Sequence, residues 1–225
     1  MSDAVRVVPF GEAAVLVEVG RDVDEATNRR VLALRDAIEG APDLASSVGA
    51  MVAGYASLLV PYAPDGISVE ALEARLTSLA ADASTAVRQE ASPVSESDTI
   101  VVPVRYGGAE GPDLEDVASR LGRHPDDVVE MHQSRVYRVY LLGFAPGFAY
   151  LGRLPEALHL PRRAEPRLRV PAGSVAIASA QTAVYPFSTA GGWHLLGRTD
   201  VRFWDPAAAS PAVLEPGDHV RFVAA

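Results

Sequence analysis

The sequence predicts an α+β chain in two parts, an N-terminal α/β part followed by a mostly β part. Three observations predict it. Over the first 89 residues, strand-like runs alternate with two amphipathic helices. A polar tract interrupts at residues 90–98, and from Val136 onward only short β runs and turns follow.

The first two strands are V-R-V-V-P (residues 5–9) and A-V-L-V-E-V (14–19), joined by a short turn at Gly11. Asp22 or Asp24 caps a helix running to about Glu39, with Val31, Leu34 and Ile38 as its stripe and Gly40 as its stop. Residues 48–53 and 57–60 read as a second strand pair around Gly54. Ser68 caps another helix, with Leu72, Leu76 and Leu79 on one face. A short strand is expected at residues 86–89. Without its first strand, the order β-β-α-β-β-α-β is the ferredoxin-like split β-α-β arrangement.

The tract E-A-S-P-V-S-E-S-D lacks bulky apolar residues apart from Val94. It sets the expected domains at 1–90 and 99–225, with 91–98 as linker. The second part opens with a strand at 99–106, then Gly107-Gly108. Asp113 caps a short helix bearing Leu114, Val117 and Leu121 and closed by Gly122, and a second short helix starts at Pro125. P-G-D (216–218) reads as a type II turn with Gly217 at positive φ, and H-V-R-F-V alternates as the last strand. Pattern alone makes the second part a barrel or a sandwich.

Composition excludes several chemistries. The chain of 225 residues has no cysteine, so disulfides, thiolate nucleophiles and Cys-bound zinc are ruled out. All 20 basic residues are arginine, which removes Schiff-base chemistry, a biotinyl lysine and a Walker-type phosphate lysine. The N-terminus shows neither a signal peptide nor an anchor, so a cytoplasmic protein is expected. A net charge of −9 disfavours nucleic acid, and no membrane partner is expected. The charge is uneven: residues 131–225 are net positive, and Arg162, Arg163, Arg167 and Arg169 cluster there, suited to a carboxylate or phosphate, a solvated loop or a protein contact. The five histidines show no metal-binding spacing, so no metal site is expected.

Chemistry concentrates in residues 141–199. L-G-F-A-P-G-F-A-Y-L-G (142–152) and V-P-A-G-S-V (170–175) are followed by Q-T-A-V-Y-P (181–186) and G-G-W-H-L-L-G-R-T (191–199). Between Arg169 and Arg198 no charged residue appears, yet prolines, glycines and hydroxyls prevent a membrane span. Such a segment reads as short strands and shaped loops around a concave site. His194 follows Gly191-Gly192-Trp193; it acts as an acid/base or donor, or packs on a strand. Gln181 and Thr182 offer an amide and a hydroxyl suited to a planar amide, lactam or carboxylate, or they end a strand. Ser174 lies after Gly173, where a backbone N–H can face an anion, but A-G-S-V is no nucleophile elbow. Phe144, Phe148 and Tyr150 surround Pro146-Gly147 and wall a pocket, meet a partner or fill the barrel end.

These motifs resemble the family of allophanate hydrolase subunit 1, the kinase inhibitor KipI and the B subunit of 5-oxoprolinase, the carboxyltransferase subdomain type. The resemblance extends over A-S-L-L-V-P-Y (56–62), V-P-V-R-Y-G-G-A-E-G-P-D-L (102–114) and P-G-D-H-V-R-F-V (216–223). Ser179 and Ala183 stand where the family has glycine, so a loop needing positive φ is expected to differ there. The resemblance implies a cyclophilin-like barrel for the second part, without prolyl isomerase activity. It implies one subunit of an ATP-dependent amide or lactam hydrolase, 5-oxoprolinase, with ATP shared with or bound by its partners. The implied partners are a homologous protein of the C-subunit type and a LamB/YcsF-like protein. In a composite site, His194, Gln181 and Arg198 are the expected catalytic group, and Arg167 or Arg169 neutralises a carboxylate or phosphate. Ser174, Thr182, Tyr185, Phe144 and Phe148 complete the expected substrate contacts. The family alternatives are a KipI-like inhibitor of a sensor histidine kinase and an allophanate hydrolase-type subunit of urea degradation.

Overall fold

Asp24 starts the first helix as the sequence requires. Its carboxylate accepts from the Thr27 amide at 2.7 Å, and α1 runs Glu25–Glu39 to Gly40. In the computed structural model, which describes residues 5–89 and 98–225, the chain divides into two compact units, Met1–Pro93 and Val94–Ala225. Of the expected linker, only Asp98 falls among the described residues.

The first unit holds β1 (Arg6–Pro9), β2 (Ala14–Glu18), α1, β3 (Val52–Ala53), β4 (Ser57–Pro61) and α2 (Val69–Gln89). The sheet order is β1-β2-β4-β3, with every neighbour antiparallel. Val15 and Val17 of β2 face Val60 and Leu58 of β4, and all four are buried with Val31, Leu34 and Ile38 of α1 and Leu72 and Leu76 of α2. Alternation on the strands thus meets a 3.6-residue period on the helices. The strand expected at residues 86–89 is absent, because α2 continues through it. Leu72, Leu76, Leu79, Ala80 and Ala83 keep one buried helical stripe, and no Gly or Pro stops it before Gln89. The sheet edge beside β2 is filled instead by β1.

The second unit is a closed seven-stranded barrel. Its elements are β5 (Thr99–Tyr106), α3 (Leu114–Leu121), α4 (Pro125–Gln133), β6 (Val136–Leu142), β7 (Ala149–Gly152), β8 (Arg167–Val170), β9 (Ser174–Ala178), β10 (Gln181–Val184), β11 (Thr189–Gly191), β12 (His194–Arg198) and β13 (His219–Ala224). The barrel order is β10-β7-β6-β13-β5-β12-β9, while β8 and β11 form a separate ribbon. The β5–β13 pair is parallel. Gly122 closes α3 at φ 64°, and His124 with Asp127 makes a capping box ahead of Pro125.

Two apolar clusters share the barrel wall. The inner one includes Val102, Val104, Val175, Ile177, Val184, Leu196 and Phe222, together with Val117 of α3 and Val128 of α4. The outer one holds Phe148, Val170, Ala176, Ala178, Ala183, Tyr185, Trp193 and Leu195. Odd positions of β9 face in and even positions face out, as the two-residue strand period requires.

Candidate functional site

The loop after β5 lies on β12. Gly107 and Gly108 take φ 71° and 54°, turning the chain back. Gly107 N donates to Leu196 O at 2.9 Å, and Asp113 N donates to Leu195 O at 3.1 Å. A Cβ on Gly111 would collide with the Leu196 carbonyl, so this approach needs glycine.

This loop delivers Asp113. The residue occupies the position before α3, yet its side chain makes no cap bond, which corrects the capping role expected of it. Its Oδ2 accepts from the Leu195 amide at 2.7 Å and from Arg167 Nη1 at 2.9 Å. Its Oδ1 accepts from Arg163 Nη1 at 2.9 Å and Arg167 Nη2 at 2.6 Å. Burial pushes the carboxyl up, but the Arg167 bonds, the Leu195 amide and both guanidinium charges outweigh that and hold it below the ordinary carboxylate value. Two arginines therefore share one ionised carboxylate.

The arginine cluster divides accordingly. Arg163 and Arg167 turn to Asp113; Arg162 lies 5.9 Å from the Trp193 ring centre; Arg169 donates to the exposed Ser188 hydroxyl at 3.1 Å. The expectation that Arg167 stands ready for a ligand anion is corrected, because both its Nη atoms already hold Asp113.

The register does not bring the three expected catalytic residues together. His194 and Thr182 both pair with Ile177 of the inner cluster, whereas Gln181 pairs with Ala178 of the outer one. Paired residues share a face, so His194 and Gln181 lie on opposite sides of the wall. Arg198 pairs with Ser174, four residues along β9 from the partner of Gln181, roughly 13 Å away. Its Nε donates to Ala172 O at 2.9 Å, and its guanidinium lies 3.8 Å from Glu110, which lies equally far from Arg105. His194 is 1% exposed and donates from Nε2 to the Pro161 carbonyl at 2.9 Å; its Nδ1 is buried with no partner among the described residues.

Among the expected substrate contacts, several are interior groups. Thr182 is fully buried and donates to Ala176 O at 3.0 Å. That orientation makes its oxygen the acceptor from His132 Nε2 at 2.9 Å, and so makes His132 Nδ1 the acceptor from the Tyr106 hydroxyl at 2.8 Å. Its hydroxyl is thus engaged on both sides, which corrects its reading as a substrate contact. Burial depresses the His132 pKa to about 3, keeping the ring neutral. Ser174 and Tyr185 are each 1% exposed, and burial raises the Tyr185 phenol above its usual value. Phe148 is also buried and meets Tyr150, Tyr185 and Trp193 edge-on at 5.0, 5.2 and 5.8 Å. Phe144 is the exposed member, at φ 66° and stacked edge-on against Phe148. Ser179 itself adopts φ 52°, so the loop keeps a left-handed residue where a difference was expected, and Ala183 is a buried β10 residue.

Sequence reading missed Asp113 and His132 as organising residues. The signal for Asp113 was its place in A-E-G-P-D-L beside a loop of two glycines; a lone histidine on α4 carries no such signal. Among the described residues no group of His, Asp and Glu could hold a metal, and no helix is long and apolar enough to cross a membrane.

Comparison with known proteins gives the chain its family. The family described as carboxyltransferase domain, subdomain C and D, matches residues 5–214. The B subunit of 5-oxoprolinase from Escherichia coli O157:H7 is 44% identical, over 95% of this chain and 93% of that protein. The corresponding B subunit from Bacillus subtilis is 37% identical, over 95% and 90%. The solved structure of TTHA0988 is 40% identical with a TM-score of 0.78; it covers 94% of this chain, which spans only 40% of that longer one. The Kluyveromyces lactis urea amidolyase shares the fold, at 19% identity and a TM-score of 0.74 over 98% of this chain and 15% of that one. The chain belongs to the family of the carboxyltransferase domain, subdomain C and D.

Proposed function

We propose that this chain is one subunit of a cytoplasmic, ATP-dependent 5-oxoprolinase, a multi-subunit hydrolase that adds water across the lactam of 5-oxoproline to release glutamate. The observation that carries this reading is the near full-length match to relatives named as the B subunit of 5-oxoprolinase, 93% of the E. coli protein's own length. The chain acts with a homologous protein of the C-subunit type and a LamB/YcsF-like protein, and ATP is bound with or by those partners. The absence of lysine and of a Walker motif from the sequence supports that division of labour. In this reading residues 1–90 form a ferredoxin-like unit and 99–225 a cyclophilin-like barrel, joined by 91–98.

The Asp113 loop and β12 supply the substrate-facing polar groups, His194 among them; Gln181 and Arg198 serve the outer wall. The test is ATP-dependent 5-oxoproline cleavage by the chain alone and with its partner subunits. Turnover is expected only from the assembled complex, and full activity from this chain alone would overturn the shared site.

A further inference from the structure

Six residues build a ring of contacts at the Asp113 loop. His194 Nε2 donates to Pro161 O, and two residues on, the Arg163 amide donates to Gly192 O at 2.8 Å, so residues 161–163 run beside 192–194. Arg163 Nη1 reaches Asp113, and Asp113 returns to the Leu195 amide, next to His194. Two atoms of this ring are left over. Arg163 Nε and His194 Nδ1 are both buried with no hydrogen-bond partner among the described residues. Buried polar atoms in native proteins almost always have partners, so two exceptions in one ring of contacts point to a ligand.

The chemistry of the leftovers defines that ligand. With Nε2–H directed at a carbonyl, the tautomer this bond selects presents Nδ1 as an acceptor. It wants an N–H or O–H. Arg163 Nε is a donor, and with Nη2 it forms the side edge of the guanidinium, which suits a carboxylate in bidentate contact. Charge points the same way: Arg163 and Arg167 face a single Asp113, leaving one positive charge uncompensated in the ring. The Arg163 side chain is 28% exposed, so the ring opens to solvent on the arginine side and is closed at the histidine.

We infer that Arg163 Nε and His194 Nδ1 are the two ends of a small-molecule subsite for a carboxylate with an N–H on the adjoining carbon, the arginine holding the carboxylate and the histidine accepting from the N–H. A cyclic N-acyl α-amino acid has both groups one bond apart from a shared carbon. The ligand chemistry comes from the ring itself; that this ligand is the reacting lactam rests on the function proposed above. Asp113 is a positioning residue here: it fixes Arg163 end-on, leaving the side edge free.

The experiment is calorimetric titration of the complex with its partner subunits. The probes are 5-oxoproline, its lactone analogue 5-oxotetrahydrofuran-2-carboxylate, which keeps the carboxylate and lacks the N–H, and 2-pyrrolidone, which keeps the N–H and lacks the carboxylate. The wild type is expected to bind 5-oxoproline at least about tenfold more tightly than either analogue. His194→Gln is expected to bring the lactam-to-lactone ratio close to one while the preference over pyrrolidone persists. Arg163→Gln is expected to do the reverse. A nitrogen-15 spectrum of histidine-labelled wild type needs no variant to fold: 5-oxoproline shifts one Nδ1 resonance and the lactone leaves it in place. Equal binding of lactam and lactone by the wild type, no binding of 5-oxoproline, or ratios unmoved in both variants would overturn the subsite. A complex that binds with these preferences yet fails to open the lactam would overturn the proposed function and leave the subsite standing.

Discussion

Two buried histidines, His132 of α4 and His194 on the inner face of the barrel wall, set the barrel core beside the ring of contacts at the Asp113 loop. His132 has both nitrogens engaged, by Tyr106 and Thr182, its carbonyl accepts from Tyr137, and its ring lies 4.7 Å from Phe222. His194 is almost as buried, but only one nitrogen is engaged. Equal burial with unequal satisfaction distinguishes a group whose hydrogen bonds are complete within the fold from one with an acceptor left over, the one the proposed subsite uses. Burial alone cannot make that distinction, because both residues would count as core.

The largest effect should come from the wall between the two regions. Phe148→Ala is expected to destabilise the chain by about 3–5 kcal/mol in urea unfolding, because it empties the centre of the outer aromatic cluster. A loss below about 1 kcal/mol would mean that the outer cluster is a surface patch and that the comparison with the interior fails.

Asp113→Asn comes next. It leaves two guanidinium groups facing a neutral amide, and since both arginines are partly exposed the loss should be nearer about 2–3 kcal/mol than the full cost of breaking a buried pair. Unchanged stability would show that the ring of contacts is not a connected unit.

His132→Leu and His194→Leu set the two histidines apart. The first orphans the Tyr106 and Thr182 hydroxyls and should cost about 2 kcal/mol; the second orphans one carbonyl and should cost about half as much. His132 also gives a pH signature. Its folded pKa is about 3 against 6.5 in the unfolded chain, so below about 6.5 the unfolded chain takes up a proton that the folded chain refuses. Its contribution is whole above pH 6.5 and is lost as pH falls towards about 3, with a slope of up to about 1.4 kcal/mol per pH unit. Urea unfolding between pH 4 and 8 should show that slope in the wild type and a shallower one in His132→Leu; identical slopes would mean His132 exchanges protons with solvent.

Local signals made most elements legible. Asp24, Gly122 and Pro125 mark helix ends by their own backbone needs, and α1, α3 and α4 begin or end where those residues dictate. The strand expected at 86–89 failed because a β-like tetrad cannot outvote an alanine-rich stripe already in helical register. Closure of the barrel was not legible, since it depends on register between strands far apart in sequence. The site was legible as residue types and not as partnerships. Arg163 and Arg167 stood out as a cluster, but their counter-ion lies about fifty residues upstream, on a loop whose chemistry looked like a helix cap. His194 stood out through its glycine-flanked motif, while Thr182 did so only because the sequence could not reveal the histidine that engages it.

The parallel pairing of β5 with β13 has a consequence for the order of events during synthesis. Thr99 registers with His219 and Val104 with Ala224, partners roughly 120 residues apart along the chain. A ribosome that has made β5 through β12 has made a curved sheet with two open seams, one on β5 and one on β6, and no intermediate length removes either. The second unit must wait, unzipped, until the segment carrying β13 emerges from the exit tunnel, and then closes both seams in one act. During that wait its exposed seams are the part of the molecule with most to gain from a chaperone.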